Sequence, residues 1–186
     1  MLISISGLPG SGTSSVAKRL QELCGYRLIS AGSIFRQEAD RRGISLEEFG
    51  KLADSDFSID SALDKGMVQI ATGIDDVILE GRLSGFVANH PRVRSNNKSG
   101  ILRICLKAPF SVRCSRISKR DGLSQAEAED VTLIREHRES RRHRSNYGID
   151  VQSVSYDVVF NSNSLSVEEI ALSIYSMISQ KGCADD

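Results

Sequence analysis

An apolar stretch that runs straight into a glycine-rich turn and out into an amphipathic segment constrains this chain more than any other feature. Leu2 to Ser6 alternates apolar and polar residues, Gly7-Leu8-Pro9-Gly10-Ser11-Gly12 breaks that pattern, and Val16-Ala17-Lys18-Arg19-Leu20-Gln21-Glu22-Leu23 repeats at helical spacing. The order is strand, turn, helix. Gly7 to Ser14 matches the phosphate-loop pattern G-x4-G-K-[ST] except at the lysine position, which holds Thr13. Glycines let successive backbone N–H groups turn inward around a phosphate, and the helix N-terminus adds partial positive charge. Gly7, Leu8, Pro9, Gly10, Ser11, Gly12, Thr13, Ser14 and Ser15 are therefore the candidate phosphate cradle, and the Ser14 hydroxyl is a candidate ligand for Mg²⁺. The competing reading is a tight glycine turn with no ligand.

The missing lysine is informative. It normally brings a cation to the β- and γ-phosphates, where charge spreads during transfer. Lys18 is a poor replacement, because five residues along a helix it lies about 140° round from Thr13. The charge has to come from arginines elsewhere.

The rest of the chain continues the alternation of strands and helices. Arg27 to Ser30 reads as a short strand, and Asp76 to Glu80, Ile101 to Leu106 and Asp157 to Phe160 read as strands buried on both faces. Helical patterns cover Ser33–Arg42, Leu46–Ala53, Ile59–Thr72, Ser111–Lys119, Gln125–Tyr147 and Val167–Ser179, while Pro91 to Gly100 reads as an exposed loop. Five strands alternating with helices predict an α/β fold of three layers, a five-stranded parallel sheet flanked by helices. Two blocks interrupt the alternation, at about 33–72 and 125–147, and read as mobile insertions on one domain spanning 1–186.

Composition sets the outer limits. With 186 residues the chain buries roughly 70% of its surface, enough for one core without staples. It is 40% hydrophobic and 26% charged, with 24 basic residues against 24 acidic, which excludes disorder and a generally polyanion-coating surface. Cys24, Cys105, Cys114 and Cys183 lack C-x-x-C spacing and read as free thiols rather than zinc ligands or disulfides. There is no run of 18 apolar residues, and Met-Leu-Ile-Ser-Ile-Ser-Gly lacks the basic region and long apolar stretch expected of a signal peptide. A cytoplasmic protein without membrane contact is expected, a monomer or weak dimer, with no nucleic-acid partner.

One segment departs from neutrality. Arg135 to Arg144 carries five arginines against two glutamates, a local charge of +3. At 100° per residue Arg135, Arg138, Glu139 and Arg142 fall within about 100° on one face, with Arg141 and Arg144 roughly opposite. Such a face suits neutralisation of a triphosphate, with Glu139 holding the arginines in place. A solvated helix laced with i,i+4 ion pairs is the plainer alternative.

Several separated segments line up with one family. Gly7 to Ser15, Ser30-Ala31-Gly32-Ser33-Ile34-Phe35-Arg36, Leu46 to Lys51, Leu79-Glu80-Gly81-Arg82 and Tyr147-Gly148-Ile149-Asp150 resemble the archaeal type of cytidylate kinase. The similarity runs in order from residue 1 to about 175. It implies a P-loop nucleoside monophosphate kinase fold, with 33–72 as the acceptor-binding insertion and 120–148 as a lid. It also implies transfer of the γ-phosphoryl group from ATP to CMP, and to dCMP, with Mg²⁺.

By the same resemblance Ser33, Arg36 and Arg82 meet the acceptor nucleotide, the two arginines on its phosphate. Arg116 stacks on the ATP base, Arg120 approaches its phosphates, and Arg135 and Arg142 act in catalysis. Chemistry agrees for the acceptor arginines, since a phosphate dianion favours bidentate guanidinium partners. Arg138 is the natural stand-in for the absent lysine. Asp56, Asp60 and Asp64 lie at i,i+4,i+8, and Asp60 is the candidate to accept the cytosine amine, although capping explains Asp56 and Asp60 equally well. Glu80 reads either as the holder of a water on Mg²⁺ or as a strand-end acid bonding Arg82. His137 and His143 depart from the family pattern. The rival readings are an adenylate or other small-molecule kinase on the same fold, and a non-catalytic P-loop protein that binds nucleotide or RNA.

Overall fold

A computed structural model describes residues 1–96, 100–150 and 153–182. In chain order the elements are β1 (Leu2–Gly7), α1 (Thr13–Cys24), β2 (Arg27–Ser30), α2 (Ala31–Arg41), α3 (Leu46–Ser55), α4 (Phe57–Gly73) and β3 (Val77–Glu80). They continue with α5 (Ser84–Asn89), α6 (Pro91–Asn96), β4 (Ile101–Lys107), α7 (Phe110–Asp121), α8 (Gln125–Tyr147), β5 (Val158–Asn161) and α9 (Val167–Gly182). The strands form one parallel sheet in the order β2-β3-β1-β4-β5, flanked by helices as expected.

Each face of the sheet buries its own cluster. Ile3, Ile5 and Ile104 pack with Val16 and Leu20 of α1 and Ile170 and Ile174 of α9. Leu2, Val77 and Leu79 pack on the other side with Met67 and Ala71 of α4, Val87 of α5 and Val93 of α6. The serines that alternate along β1 are buried too. Ser6 Oγ shares a hydrogen bond with Ser84 Oγ at 2.8 Å and accepts one from the Gly85 amide at 2.9 Å. Small polar residues here let α5 sit close to the sheet, so the alternation marks a helix contact rather than a solvent face.

Three readings of the sequence are corrected. Pro91 to Gly100 is not a simple loop: Pro91–Asn96 is α6, with Val93 fully buried, while 97–99 lie outside the described residues. Proline suits a first helical turn, where its missing N–H has no partner to lose, and Val93 supplies the apolar anchor. The short α5 was also unforeseen. Finally, β5 is an edge strand that leaves Val159 exposed, so it is not buried on both faces. The unpaired cysteines are Cys105 and Cys114, both buried, and Cys24, half-buried; Cys183 lies outside the described residues.

Because the strands are parallel, their C-terminal ends share one rim. Ser30 and Ile5 both register with Glu80, and Gly7 registers with Leu106. The turn after β1, the entry to α2, residues 80–82 and the entry to α7 therefore meet at that rim, where open α/β sheets bind ligands. Helices α2 to α4 project from it with a small core of their own, in which buried Phe49 packs on Phe35 with centroids 4.5 Å apart. Helix α8 starts at a capping box of Ser124 and Glu127 and stops at Gly148, whose φ of 65° suits a residue without Cβ.

The C-terminal end of α8 lies against α4. Tyr147 donates its hydroxyl to Asp64, and its ring meets Phe57 and Phe86 with centroids 5.7 and 5.9 Å away. Burial pushes the Asp64 carboxyl from 3.8 up to about 6; the Tyr147 bond pulls down and the neighbouring Asp60 charge adds to the rise. A folded-state pKa raised in this way means the folded chain holds this proton more tightly. The group's contribution to stability is complete below its unfolded value and is lost as pH rises through about 6. Asp64→Asn keeps an acceptor for Tyr147 without the charge. Its stability relative to the wild type should climb between pH 4 and pH 6 and level off above, by about 1–3 kcal/mol. Urea unfolding midpoints across that range check this, and a difference that stays flat would rule it out.

Candidate active site

The turn between β1 and α1 is held from outside by its carbonyls. Arg113 Nη1 donates to the Pro9 oxygen at 3.1 Å, Arg116 Nη1 to the Gly10 oxygen at 3.2 Å, and Ser162 Oγ to the Ser11 oxygen at 2.7 Å. Gly10 and Gly12 take φ values of 79° and 93°. At Gly10 a Cβ would lie 2.5 Å from the Arg113 carbonyl, so α7 closes on the turn only because no side chain stands there. With the carbonyls anchored outward, the amide edge of Gly10 to Ser14 is the natural one for an anion.

Glu80 ties this turn to the second layer of the site. It accepts hydrogen bonds from Thr13 Oγ1 at 2.6 Å, Ser14 Oγ at 3.1 Å and Ser30 Oγ at 2.5 Å, and it is buried. Ser30 Oγ also accepts from the Ser33 amide as the cap of α2. The residue at the lysine position is thus anchored downward, onto the carboxylate at the end of β3. The alternative in which Glu80 bonds Arg82 is not what the structure shows.

Arg82 pairs instead with Glu139 of α8, Nη1 to Oε2 at 2.7 Å. Glu139 also takes Arg135 Nε at 2.7 Å, which is the holding role expected of it. Burial works against an ionised Glu139, but the guanidiniums of Arg82 and Arg135 outweigh it and hold the carboxyl below its usual range. Arg142 reaches across to the α3–α4 region, contacting Asp54 Oδ1 and Asp60 Oδ2 at 3.0 Å each. Burial raises the Asp60 carboxyl despite that contact. Arg138 stands 3.6 Å from Asp54 and Arg141 3.8 Å.

Three neighbouring clefts with shared wall residues follow the rim. The first, about 510 Å³, is lined by Gly10 to Val16 with Arg116, Arg120, Ser162 and Leu165. The second, about 370 Å³, has Pro9, Phe35, Arg120, Arg135, Arg138 and Arg142 on its walls. The third, about 100 Å³, lies among Arg36, Asp60, Asp64, Arg82, Arg135 and Arg142. Ile117 and Arg120 are common to the first two, and Arg135, Glu139 and Arg142 to the last two.

Nearly all the residues singled out in the sequence thus come together. Ser33 joins through the hydrogen bond it accepts from exposed Arg36, at 3.2 Å. Arg120 is turned onto Asp121 at 2.6 Å. The acidic row of Asp56, Asp60 and Asp64 is divided among different partners. Asp56 caps α4 through the Ser58 amide, while Asp60 and Asp64 are engaged by Arg142 and Tyr147.

Sequence reasoning missed Arg113, which is buried and donates to the Ala108 carbonyl and to Glu136 of α8 as well as to Pro9. It also missed Asp54, which reads locally as part of a turn. The spacing signal for Arg113 was available, one helical turn before Arg116. Hard oxygen donors at Ser14 and Glu80 suit Mg²⁺, which prefers hydroxyl, carboxylate and phosphate oxygens.

The family model described as "Cytidylate kinase-like family" matches residues 2–164. A "Cytidylate kinase" of Methanoregula boonei is 39% identical over 182 residues, covering 97% of this chain and 95% of that protein. One from Methanococcoides burtonii is 44% identical over 164 residues, covering 88% of each. Among solved structures, shikimate kinase from Bacteroides thetaiotaomicron superposes with a TM-score of 0.60 at 14% identity, covering 96% of this chain and 98% of that one. A gluconokinase from Sinorhizobium meliloti gives 0.57 at 17%, covering 96% and 91%. The fold is that of the P-loop kinases, and no helix among the described residues is long and apolar enough to cross a membrane. The chain belongs to the cytidylate kinase-like family.

Proposed function

We propose that this chain is an ATP-dependent, Mg²⁺-dependent cytidylate kinase that phosphorylates CMP, and also dCMP, releasing ADP. The row of three clefts with shared walls carries this reading: a phosphate loop at one end, acceptor-side arginines at the other, and α8 guanidiniums between them. The names of its relatives point to the same acceptor. A pure binder of nucleotide or RNA has no use for Arg36 and Arg82 across from the loop. Free thiols at Cys24, Cys105 and Cys114 fit a reducing compartment, and we place the enzyme in the cytoplasm.

In this reading the backbone amides of Gly7 to Ser15 hold the triphosphate of ATP. Arg116, fixed to Gly10 and Ser162 beside Leu165, presents its plane to the base. Arg36 and Arg82 hold the phosphate of CMP. An acceptor phosphate oxygen attacks the γ-phosphorus, the bond to the β,γ-bridging oxygen breaks, and ADP leaves with the electron pair. Little covalent help is needed; positioning and charge neutralisation do the work. Arg135, Arg138 and Arg142 supply the cations that the loop lacks at Thr13. Mg²⁺, held at Ser14 and near Glu80, neutralises phosphate charge when bound.

Residues 33–72 and 120–148 act as acceptor-binding insertion and lid within one domain. Asp60 stands at the acceptor cleft as the candidate acceptor for the cytosine amine, once Arg142 turns towards phosphate. The carboxylates that hold the arginines in the free protein are exchanged for phosphates as the nucleotides bind.

A coupled assay of ADP release with ATP, Mg²⁺ and each of CMP, dCMP, UMP and AMP tests the reading. Turnover is expected to be strongest with CMP, and dCMP should also serve. A preference for AMP would assign the chain to adenylate kinase chemistry, and ATP binding without turnover on any acceptor would favour the binding module. Arg138→Ala should lower kcat by at least about tenfold while KM values for both nucleotides stay within about threefold, the pattern of an interaction made in the transition state. An unchanged kcat would remove Arg138 from the machinery.

A further inference from the structure

His143 is buried on the cleft side of α8, yet nothing in the mechanism above uses it. Its Nδ1 atom is enclosed and has no hydrogen-bond partner, and the same is true of Arg82 Nη2 in the wall of the same small cleft. Folded proteins leave few buried polar atoms unpaired, and two in the wall of one cleft indicate a missing partner. We propose that His143 is a hydrogen-bonding ligand of the nucleoside part of the acceptor, and so a residue that sets acceptor specificity. This rests on the acceptor reading of the cleft.

The position along α8 selects the nucleoside over the phosphate. Arg135, Glu139, His143 and Tyr147 stand at i,i+4 intervals and form one stripe. Arg135 and Glu139 also border the cleft that holds Pro9 of the phosphate loop, whereas His143 lines only the acceptor cleft. Tyr147, one turn further, is already at Asp64. His143 thus sits one turn, roughly 6 Å, along α8 from Glu139, on the side away from the phosphate loop, where the acceptor reading puts the sugar and base of the monophosphate.

Its charge state points the same way. Burial pushes the imidazole down to about 4; Glu139 opposes the fall, and Arg82 and Arg142 reinforce it. A neutral imidazole between two guanidiniums adds no cation for a phosphate. It offers one directed donor or acceptor, which suits a hydroxyl, carbonyl or amine.

The test compares substitutions that keep or remove a polar atom at the Nδ1 position. Asparagine places its amide there, glutamine places it further out, and leucine removes it. CMP affinity is read by calorimetry and KM by the coupled assay, for CMP and dCMP, on the intact chain. His143→Leu should raise the Kd and KM for CMP about tenfold, the size of one lost neutral hydrogen bond, with KM for ATP within about twofold. His143→Asn should restore most of the loss and His143→Gln should not.

A loss with CMP that is absent with dCMP identifies the 2′-hydroxyl as the partner, and an equal loss with both identifies the base or the remaining sugar hydroxyl. CMP values within about twofold of wild type in His143→Leu would overturn the inference. Were that variant unfolded, indistinguishable CMP constants in His143→Asn and His143→Gln would overturn it. Failure of the cytidylate kinase reading itself would show in the wild type, as no CMP binding or turnover, before any variant is compared.

Discussion

Buried guanidinium groups are tolerable only when each finds an anion, and the architecture of this site follows from that constraint. Arg82, Arg113 and Arg142 are all largely removed from water. An unpaired charge in such a place costs several kcal/mol, so each is matched: Arg82 with Glu139, Arg113 with Glu136, Arg142 with Asp54 and Asp60. None of these pairs lies within one helix. Each joins α8 to a different part of the rim, and together they fix where the long helix rests.

The pairing has a functional consequence. In the proposed function, carboxylates on Arg82, Arg135 and Arg142 occupy the positions that phosphates would take, so the guanidiniums are kept oriented and close to their working places. A phosphate that entered would exchange with a carboxylate rather than recruit a disordered arginine, and less ordering entropy would be lost on binding. Glu139 illustrates this best, since it spans an acceptor-side arginine and a helix arginine at 2.7 Å each.

Much of this was legible in the sequence because it depends on local pattern. The strand, glycine turn and helix at residues 2–24 are fixed by hydrophobic period and by glycine, and the grouping of Arg135, Arg138, Glu139 and Arg142 follows from helical phase alone. What pairs with them was not legible. Asp54 and Asp60 are 88 and 82 residues away from Arg142 in sequence, and only the packing of α8 against α3 and α4 brings them together. Arg113 looked like any helix cation, because nothing local shows that its side chain turns inward to Pro9. Helix α6 failed as a loop for the opposite reason: its polar composition hid the single residue, Val93, that docks it to the core.

The threonine at the lysine position connects these threads. A lysine there would carry its charge on α1, rigid with the sheet, and would be available to a bound triphosphate at all times. Thr13 gives that place to a neutral hydroxyl tied to Glu80. In the proposed function, the cations left to face the β- and γ-phosphates are then those of α7 and α8; of the latter, Arg138 and Arg142 are held by ion pairs to the α2–α4 block that frames the small cleft, and Arg135 by Glu139 of α8 itself. Charge neutralisation is thereby made conditional on geometry. In the kinase reading, the donor phosphates are fully compensated only when α8 lies over both clefts, which is also when the acceptor is enclosed and water excluded. In that reading, moving the cation from the loop to the helix ties the readiness of the donor to the presence of the acceptor.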